Sequence, residues 1–76
     1  MEYQIGSEES LSHAVLTSVS MLEDTATTDL PVLYKTVDPN ALDAIFAGDG
    51  NICISFGFSN SLIEVYNGEY LTVESA

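Results

Sequence analysis

The spacing of hydrophobic positions changes once along the chain, from a helical period to a period of two. In "SEESLSHAVLTSVSMLED", Leu11, Val15, Val19 and Leu22 recur at helical spacing, flanked by Ala14 and Ser18. Such spacing draws one apolar stripe down a helix. Ser7 is the expected N-cap, with Glu8 and Glu9 in a first turn where the helix dipole favours negative charge. Glu23 and Asp24 fall at the end where the dipole disfavours them, and "EDTATTD" ends the helix. His13 lies off the stripe and is expected in solvent. The next stretch, "DLPVLYKTVDPNALDAIFAGDG", carries helix starts and stops in close succession. Thr28 or Asp29 can cap a short helical turn that tolerates Pro31, because first-turn amides have no helical acceptor. Leu30, Leu33, Tyr34 and Val37 supply its buried side. Asp38 then reads as an N-cap, with Pro39 as first residue of a second short helix. Leu42, Ile45 and Phe46 form its expected core face, and Gly48 suits a left-handed C-cap.

From Asn51 the alternation is that of a strand, with Ile52, Ile54, Phe56 and Phe58 on one face. A two-residue turn at Ser59-Asn60 pairs Phe58 with Ser61, Phe56 with Ile63 and Ile54 with Val65. For the next hairpin, a two-residue turn at Asn67-Gly68 would set Tyr70 beside Val65 and send Leu71 and Val73 to the opposite face. A three-residue loop, Tyr66-Asn67-Gly68, pairs Val65 with Glu69 and Ile63 with Leu71 instead. That register is preferred because it buries Leu71 and Val73, each worth about 1.5–3 kcal/mol. The expected fold is α+β: a three-stranded antiparallel meander with two short helices and a helical turn packed on one face. Residues 10–76 form the single domain. Residues 1–9, in which Tyr3 and Ile5 alternate with polar neighbours, read equally as an edge strand or as an unpaired arm.

Composition changes the picture in one respect. Twelve Asp and Glu stand against Lys35 alone, for a formal net charge of −11 over 76 residues. Hydrophobic residues make up 46% of the chain, which separates it from disordered acidic tails. A fold this acidic repels itself in dilute buffer. The Debye length falls to about 3 Å at 1 M salt, where that repulsion largely disappears. Molar intracellular salt is the economical explanation. An acidic mimic of nucleic acid, made to block a basic partner, is the alternative, disfavoured because the acids are spread along the chain. Direct binding of nucleic acid is not expected, since one lysine and no arginine cannot neutralise several phosphates. No apolar run approaches a membrane span and no basic segment marks a signal peptide, so a cytoplasmic location is expected.

Candidate chemistry is sparse. Asp38, Asp43 and Asp49 read as a cap, a solvated helix residue and a loop acid rather than a cation site. "GDGN" at 48–51 lacks the length and spacing of a calcium loop. One histidine with one cysteine argues against zinc, and single occurrences of Ser, His and Asp make no triad. No catalytic, cofactor or metal site is assigned, and a small enzyme is the least favoured reading. Cys53 permits no intrachain disulfide and has no basic neighbour in sequence to lower its pKa, so it reads as an inert thiol rather than a redox switch. Lys35 is free to pair with a nearby acid on the surface.

The segment "DLPVLYKTVDPNALDAIF", with the later "ISFGF" and "VYNGEYLTV", resembles the haloarchaeal output domain 1 family. Leu30, Pro31, Leu33, Tyr34, Asp38, Pro39, Ala41, Leu42, Asp43 and Phe46 match the family pattern, and Ile45 stands where the family has leucine. The likeness spans roughly residues 10 to 74. It implies a small domain of haloarchaeal signalling proteins, found behind receiver or PAS modules or alone, that acts in signal output through protein contacts. It brings no catalytic residues, and these 76 residues hold no receiver or sensor pattern.

The expected open face of the sheet carries Cys53, Ser55, Gly57, Leu62, Glu64, Tyr66, Tyr70 and Thr72. Leu62, Tyr66 and Tyr70 are large for residues facing water, and exposed aromatic patches favour contacts. They are the candidate interaction site, against a protein partner or a second copy in a homodimer. A chain of this size without disulfide or metal is marginal alone, which leaves a homodimer, a larger parent protein or an unusual solvent as the source of its stability. The plainer readings are scattered exposed aromatics or cover by the N-terminal arm.

Overall fold

The computed structural model describes residues 1–35, 37–46 and 51–76, and at residues 34, 39, 42, 43 and 46 the backbone alone. Its elements in chain order are strand β1 (Glu2–Gln4), helix α1 (Leu11–Glu23), two 3-10 turns (Thr27–Asp29 and Leu33–Lys35), helix α2 (Pro39–Phe46) and strands β2 (Cys53–Phe58), β3 (Ser61–Tyr66) and β4 (Tyr70–Ser75). The sheet has four strands, not three, in the order β1-β4-β3-β2, all antiparallel. The N-terminal segment supplies the fourth. Tyr3 pairs with Leu71, and the Met1 carbonyl accepts the Val73 N–H at 2.8 Å. Within residues 1–9, Glu2–Gln4 therefore extend the sheet at its edge instead of standing apart as an arm.

Helix α1 begins three residues later than its first serine suggests. Ser10 is the N-cap, accepting the His13 N–H at 3.2 Å. Gly6 to Glu9 form a turn closed by Glu9 N–H on the Gly6 carbonyl at 3.0 Å. That turn takes Glu8 and Glu9 out of the first helical turn. The expected stripe is buried along most of its length: Leu11, Ala14, Val15, Ser18 and Val19 face the sheet, and Leu22 packs only partly against the core. Ser18 is satisfied there by donating to the Val15 carbonyl at 3.0 Å. Asp24 ends the helix in the left-handed conformation, at φ 51°.

Two 3-10 turns replace the single expected one around Leu30-Pro31. Leu33 is buried, and Leu30 and Val37 pack partly against the core. Asp38 caps α2 as expected, its Oδ1 accepting the Asn40 N–H at 2.9 Å. Ile45, expected in the core, is instead 43% exposed. Helix α2 packs on α1, and a helix of eight residues buries only part of its circumference there, with Ile45 on the remainder. The expected core positions Leu42 and Phe46, the side chain of Tyr34 and the Gly48 cap lie outside the described residues.

The β2–β3 hairpin has the expected register, with Phe58 on Ser61, Phe56 on Ile63 and Ile54 on Val65. The β3–β4 hairpin differs. Asn67 and Gly68 are both left-handed, at φ 56° and 68°, as a type I′ turn requires. The Glu69 N–H closes the turn on the Tyr66 carbonyl at 3.0 Å. Pairing resumes at Tyr66–Tyr70, so the loop is residues 67–69 and Val65 meets Leu71 while Ile63 meets Val73. The expected pairs Val65–Glu69 and Ile63–Leu71 are thus displaced by two residues. Glu69 is the extra residue, and its carbonyl is taken up by the Ile5 N–H at 3.0 Å. A shift of two preserves facing, so Leu71 and Val73 are buried as expected.

The core lies between α1 and the sheet. Phe58, Ile63, Val65, Leu71 and Val73 meet Leu11, Ala14, Val15, Val19 and Leu33. Tyr3, Ile54 and Phe56 are partly buried at its margins. Among the described residues no helix is long and apolar enough to cross a membrane.

Candidate functional site

The sheet face opposite α1 is set by strand parity. Along β2, β3 and β4 the residues facing the helix are Ile54, Phe56, Phe58, Ser61, Ile63, Val65, Leu71 and Val73. Their neighbours in sequence face the other way. The register then builds rows across the open face. Gln4, Tyr70, Tyr66 and Cys53 form one, Glu2, Thr72, Glu64 and Ser55 the next, and Glu74, Leu62 and Gly57 a third. All eight residues expected on this face lie there. The N-terminal segment borders the face with Glu2 and Gln4 and does not cover it.

Two of the three candidate contact residues come together. Tyr66 and Tyr70 are directly opposite on β3 and β4, with ring centroids 5.0 Å apart and planes 17° from parallel. Stacked rings at this separation attract beyond simple area burial. The Tyr66 hydroxyl donates to Glu64 Oε2 at 3.3 Å. Loss of water around the phenol, and then the Glu64 carboxylate, push its pKa above the usual tyrosine value. It remains a neutral donor at physiological pH. Leu62, 40% exposed, stands four residues from Tyr66 along β3, about 13 Å away, with Glu64 between. The site is therefore a tyrosine pair and a separate leucine, not one apolar patch. Met21 and Val32 are more exposed than Leu62, at 61% and 59%, and exposure alone does not distinguish it.

Two glutamates have roles that composition does not reveal. Glu9 Oε2 accepts the Tyr3 hydroxyl at 2.7 Å and meets His13 Nδ1 at 2.6 Å, while Oε1 accepts the Gly6 N–H at 3.0 Å. The Tyr3 bond, then Gly6 and His13, hold its pKa below the usual carboxylate value. His13 is exposed, as expected, but is engaged by this carboxylate. Glu23 reaches from the end of α1 to the β2–β3 turn. Its Oε1 accepts the Ser59 hydroxyl at 2.8 Å, and its Oε2 accepts the Ser61 hydroxyl at 2.6 Å and the Asn60 N–H at 3.1 Å. Each carboxylate ties one end of α1 to the sheet. The partners of Glu23 are 36 to 38 residues away, and no local pattern announces them.

Other candidates stay dispersed. Cys53 is a free, exposed thiol at the start of β2. Asp38 serves as a cap, while the Asp43 side chain and Asp49 lie outside the described residues. Among the described residues no group of three or more His, Cys, Asp or Glu side chains is placed to hold a metal ion. Lys35 is exposed, and the ion pair found among the described residues is that of His13 with Glu9.

No curated protein and no solved structure matches the chain. A family does: the sequence profile described as Halobacterial output domain 1 matches residues 7–75. The match spans α1, both 3-10 turns, α2 and the β2–β4 meander that carries the tyrosine pair, and only β1 precedes it. On that span the chain belongs to the halobacterial output domain 1 family.

Proposed function

We propose that the protein is a non-catalytic output module that passes on a signal by protein contact, working in the salt-rich cytoplasm of a haloarchaeon. The observation that carries this reading is the stacked Tyr66–Tyr70 pair on the sheet face opposite α1, in a chain of an output-domain family. Tyrosine suits such a role because it brings a large rigid surface with one polar end. The contact face is Tyr66 and Tyr70, with Leu62 as a separate anchor, and the occupant is a signalling protein. Glu64 and Glu2 on the same face favour a partner that offers basic or hydrogen-bond-donating groups around an apolar centre.

The test is Tyr66→Asp. The residue lies on the face away from the core, so the circular dichroism spectrum and cooperative melt are expected to persist. A carboxylate desolvated in the contact is costly, and loss of an aromatic anchor weakens binding by about thirtyfold or more. Tagged wild type and variant, recovered from a haloarchaeal host in its native salt, are compared by quantitative mass spectrometry. Proteins enriched by the wild type and depleted at least tenfold by the variant are expected. An unchanged set would remove this face as the output surface.

A further inference from the structure

We infer that the outer edge of β2 pairs with the same edge of a second copy, joining two four-stranded sheets into one of eight strands. The two edges of the sheet differ. β1 is three residues long and carries Glu2, features that protect an edge from pairing. β2 is six residues, Cys53–Phe58, with no charge and no proline. Among the described residues it pairs with β3 alone. A long uncharged edge in a chain of net charge −11 is the place where a second such chain approaches with least repulsion.

The hydrogen-bond parity selects a register. Ile52 exchanges bonds with Asn67: its carbonyl accepts the Asn67 N–H and its N–H donates to Asn67 Oδ1, both at 2.8 Å. Alternation along an antiparallel strand then turns the backbone groups of Ile54, Phe56 and Phe58 toward β3. Those of Cys53, Ser55 and Gly57 point out to the free edge. A two-fold pairing must match outward residues with outward residues. The arrangement that uses all three sets Ser55 against Ser55 of the second copy and Cys53 against its Gly57. It also sets Ile54 against Phe56 of the second copy, twice, on the helix side. Both residues are only partly buried in the single chain, and aromatic with β-branched is a favourable cross-strand pair. The small outward residues offer no steric obstacle.

Charge favours this edge over the open face for self-association. Glu64 sits beside Ser55 on β3, so its copies would lie three strand spacings apart, about 14 Å, beyond the ~8 Å Debye length at physiological ionic strength. Packing two open faces together would bring the same carboxylates into the contact itself. The two-fold axis runs perpendicular to the joined sheet. Both Tyr66–Tyr70 pairs then lie on one side, leaving the proposed output face free and doubled.

The experiment is sedimentation in 3 M KCl of the wild type, Ser55→Pro and Tyr66→Asp, with a crosslinking arm. Proline at an outward edge position costs the monomer no ladder bond. In the dimer it removes both central N–H donors, and a loss of about thirtyfold in self-association is expected. Tyr66→Asp is expected to leave self-association unchanged. In a Cys53→Ser background, Ser55→Cys places two thiols in a hydrogen-bonded pair with Cα atoms about 5.5 Å apart, within disulfide reach. Mild oxidation is expected to give a crosslinked dimer. Wild-type Cys53, about 14 Å from its copy in this register, is expected not to crosslink. A wild-type monomer at all concentrations, or crosslinking through Cys53 and not through the Ser55→Cys variant, would overturn the edge pairing. Loss of association in Tyr66→Asp but not in Ser55→Pro would also overturn it, while leaving the open face as a contact surface.

Discussion

Raising KCl from 0.1 M to 3 M is expected to raise the melting temperature by about 10–30 °C. The cause is the charge of −11 confined to a body with a radius of gyration of 11.4 Å. A uniform sphere of that size is about 15 Å in radius, and its charge repels itself by ~17 kcal/mol in water without salt. Screening reduces this to about 7 kcal/mol at 0.1 M and about 2 kcal/mol at 3 M. The unfolded chain keeps part of the same repulsion, so the folded state gains on the order of 2–4 kcal/mol. That is a large share of the ~4–11 kcal/mol that a domain of this length holds in total. Thermal unfolding followed by circular dichroism checks it. The form of the rise is also informative. Screening is nearly complete by 1 M, where the Debye length is about 3 Å. Most of the gain is therefore expected below 1 M. Equal or lower stability at 3 M would contradict the reading of the acidic surface as an adaptation to salt.

What was legible in the sequence follows from the range of the interactions. The facing of the residues in β2, β3 and β4 could be read, because a period of two admits only two answers and one of them buries Ile63, Val65, Leu71 and Val73 together. The exact β3–β4 partners could not. Registers that differ by two residues bury the same set, and the choice rests on a loop conformation in which Asn67 joins Gly68 in the left-handed region. The start of α1 was ambiguous for a similar reason. Ser7 and Ser10 are both competent caps, and the decision belongs to Glu9, which is held outside the helix by Tyr3 and Gly6. Tyr66 and Tyr70 were recognisable as candidates from facing alone, but their stacking depends on the loop that sets them opposite. Leu62 shares their face and not their patch, a separation that parity cannot express. The lack of charge in β2 was visible. Its meaning required the strand order that leaves it at an edge.

Replacing Glu23 with alanine is expected to destabilise the fold by about 2–3 kcal/mol, a fall of about 10–20 °C in melting temperature. The largest part comes from Ser61, whose buried hydroxyl loses a charged acceptor at 2.6 Å. Ser59 and Asn60 are exposed and regain water, so their bonds contribute less. They hold a turn in which Ser59 is left-handed, at φ 57°, a conformation that costs a residue with a side chain about 1 kcal/mol or more. The pH dependence separates this clamp from simple packing. The bond from Ser61, then those from Ser59 and Asn60, lower the Glu23 pKa below its ordinary 4.5. A carboxylate with a depressed folded pKa gives its full stabilisation above the unfolded value, and the stabilisation is lost as pH falls through the folded one. Glu23→Gln has the shape of the protonated acid. The stability gap between wild type and Glu23→Gln is therefore expected to be constant above about pH 5 and to close below pH 4. Glu9, depressed in the same direction, titrates in both proteins and cancels in the difference. The comparison belongs in 3 M KCl, because in dilute buffer removing one negative charge relieves repulsion and masks part of the loss. A gap that persists unchanged to pH 3 would mean that Glu23 acts through its volume and not through its charge.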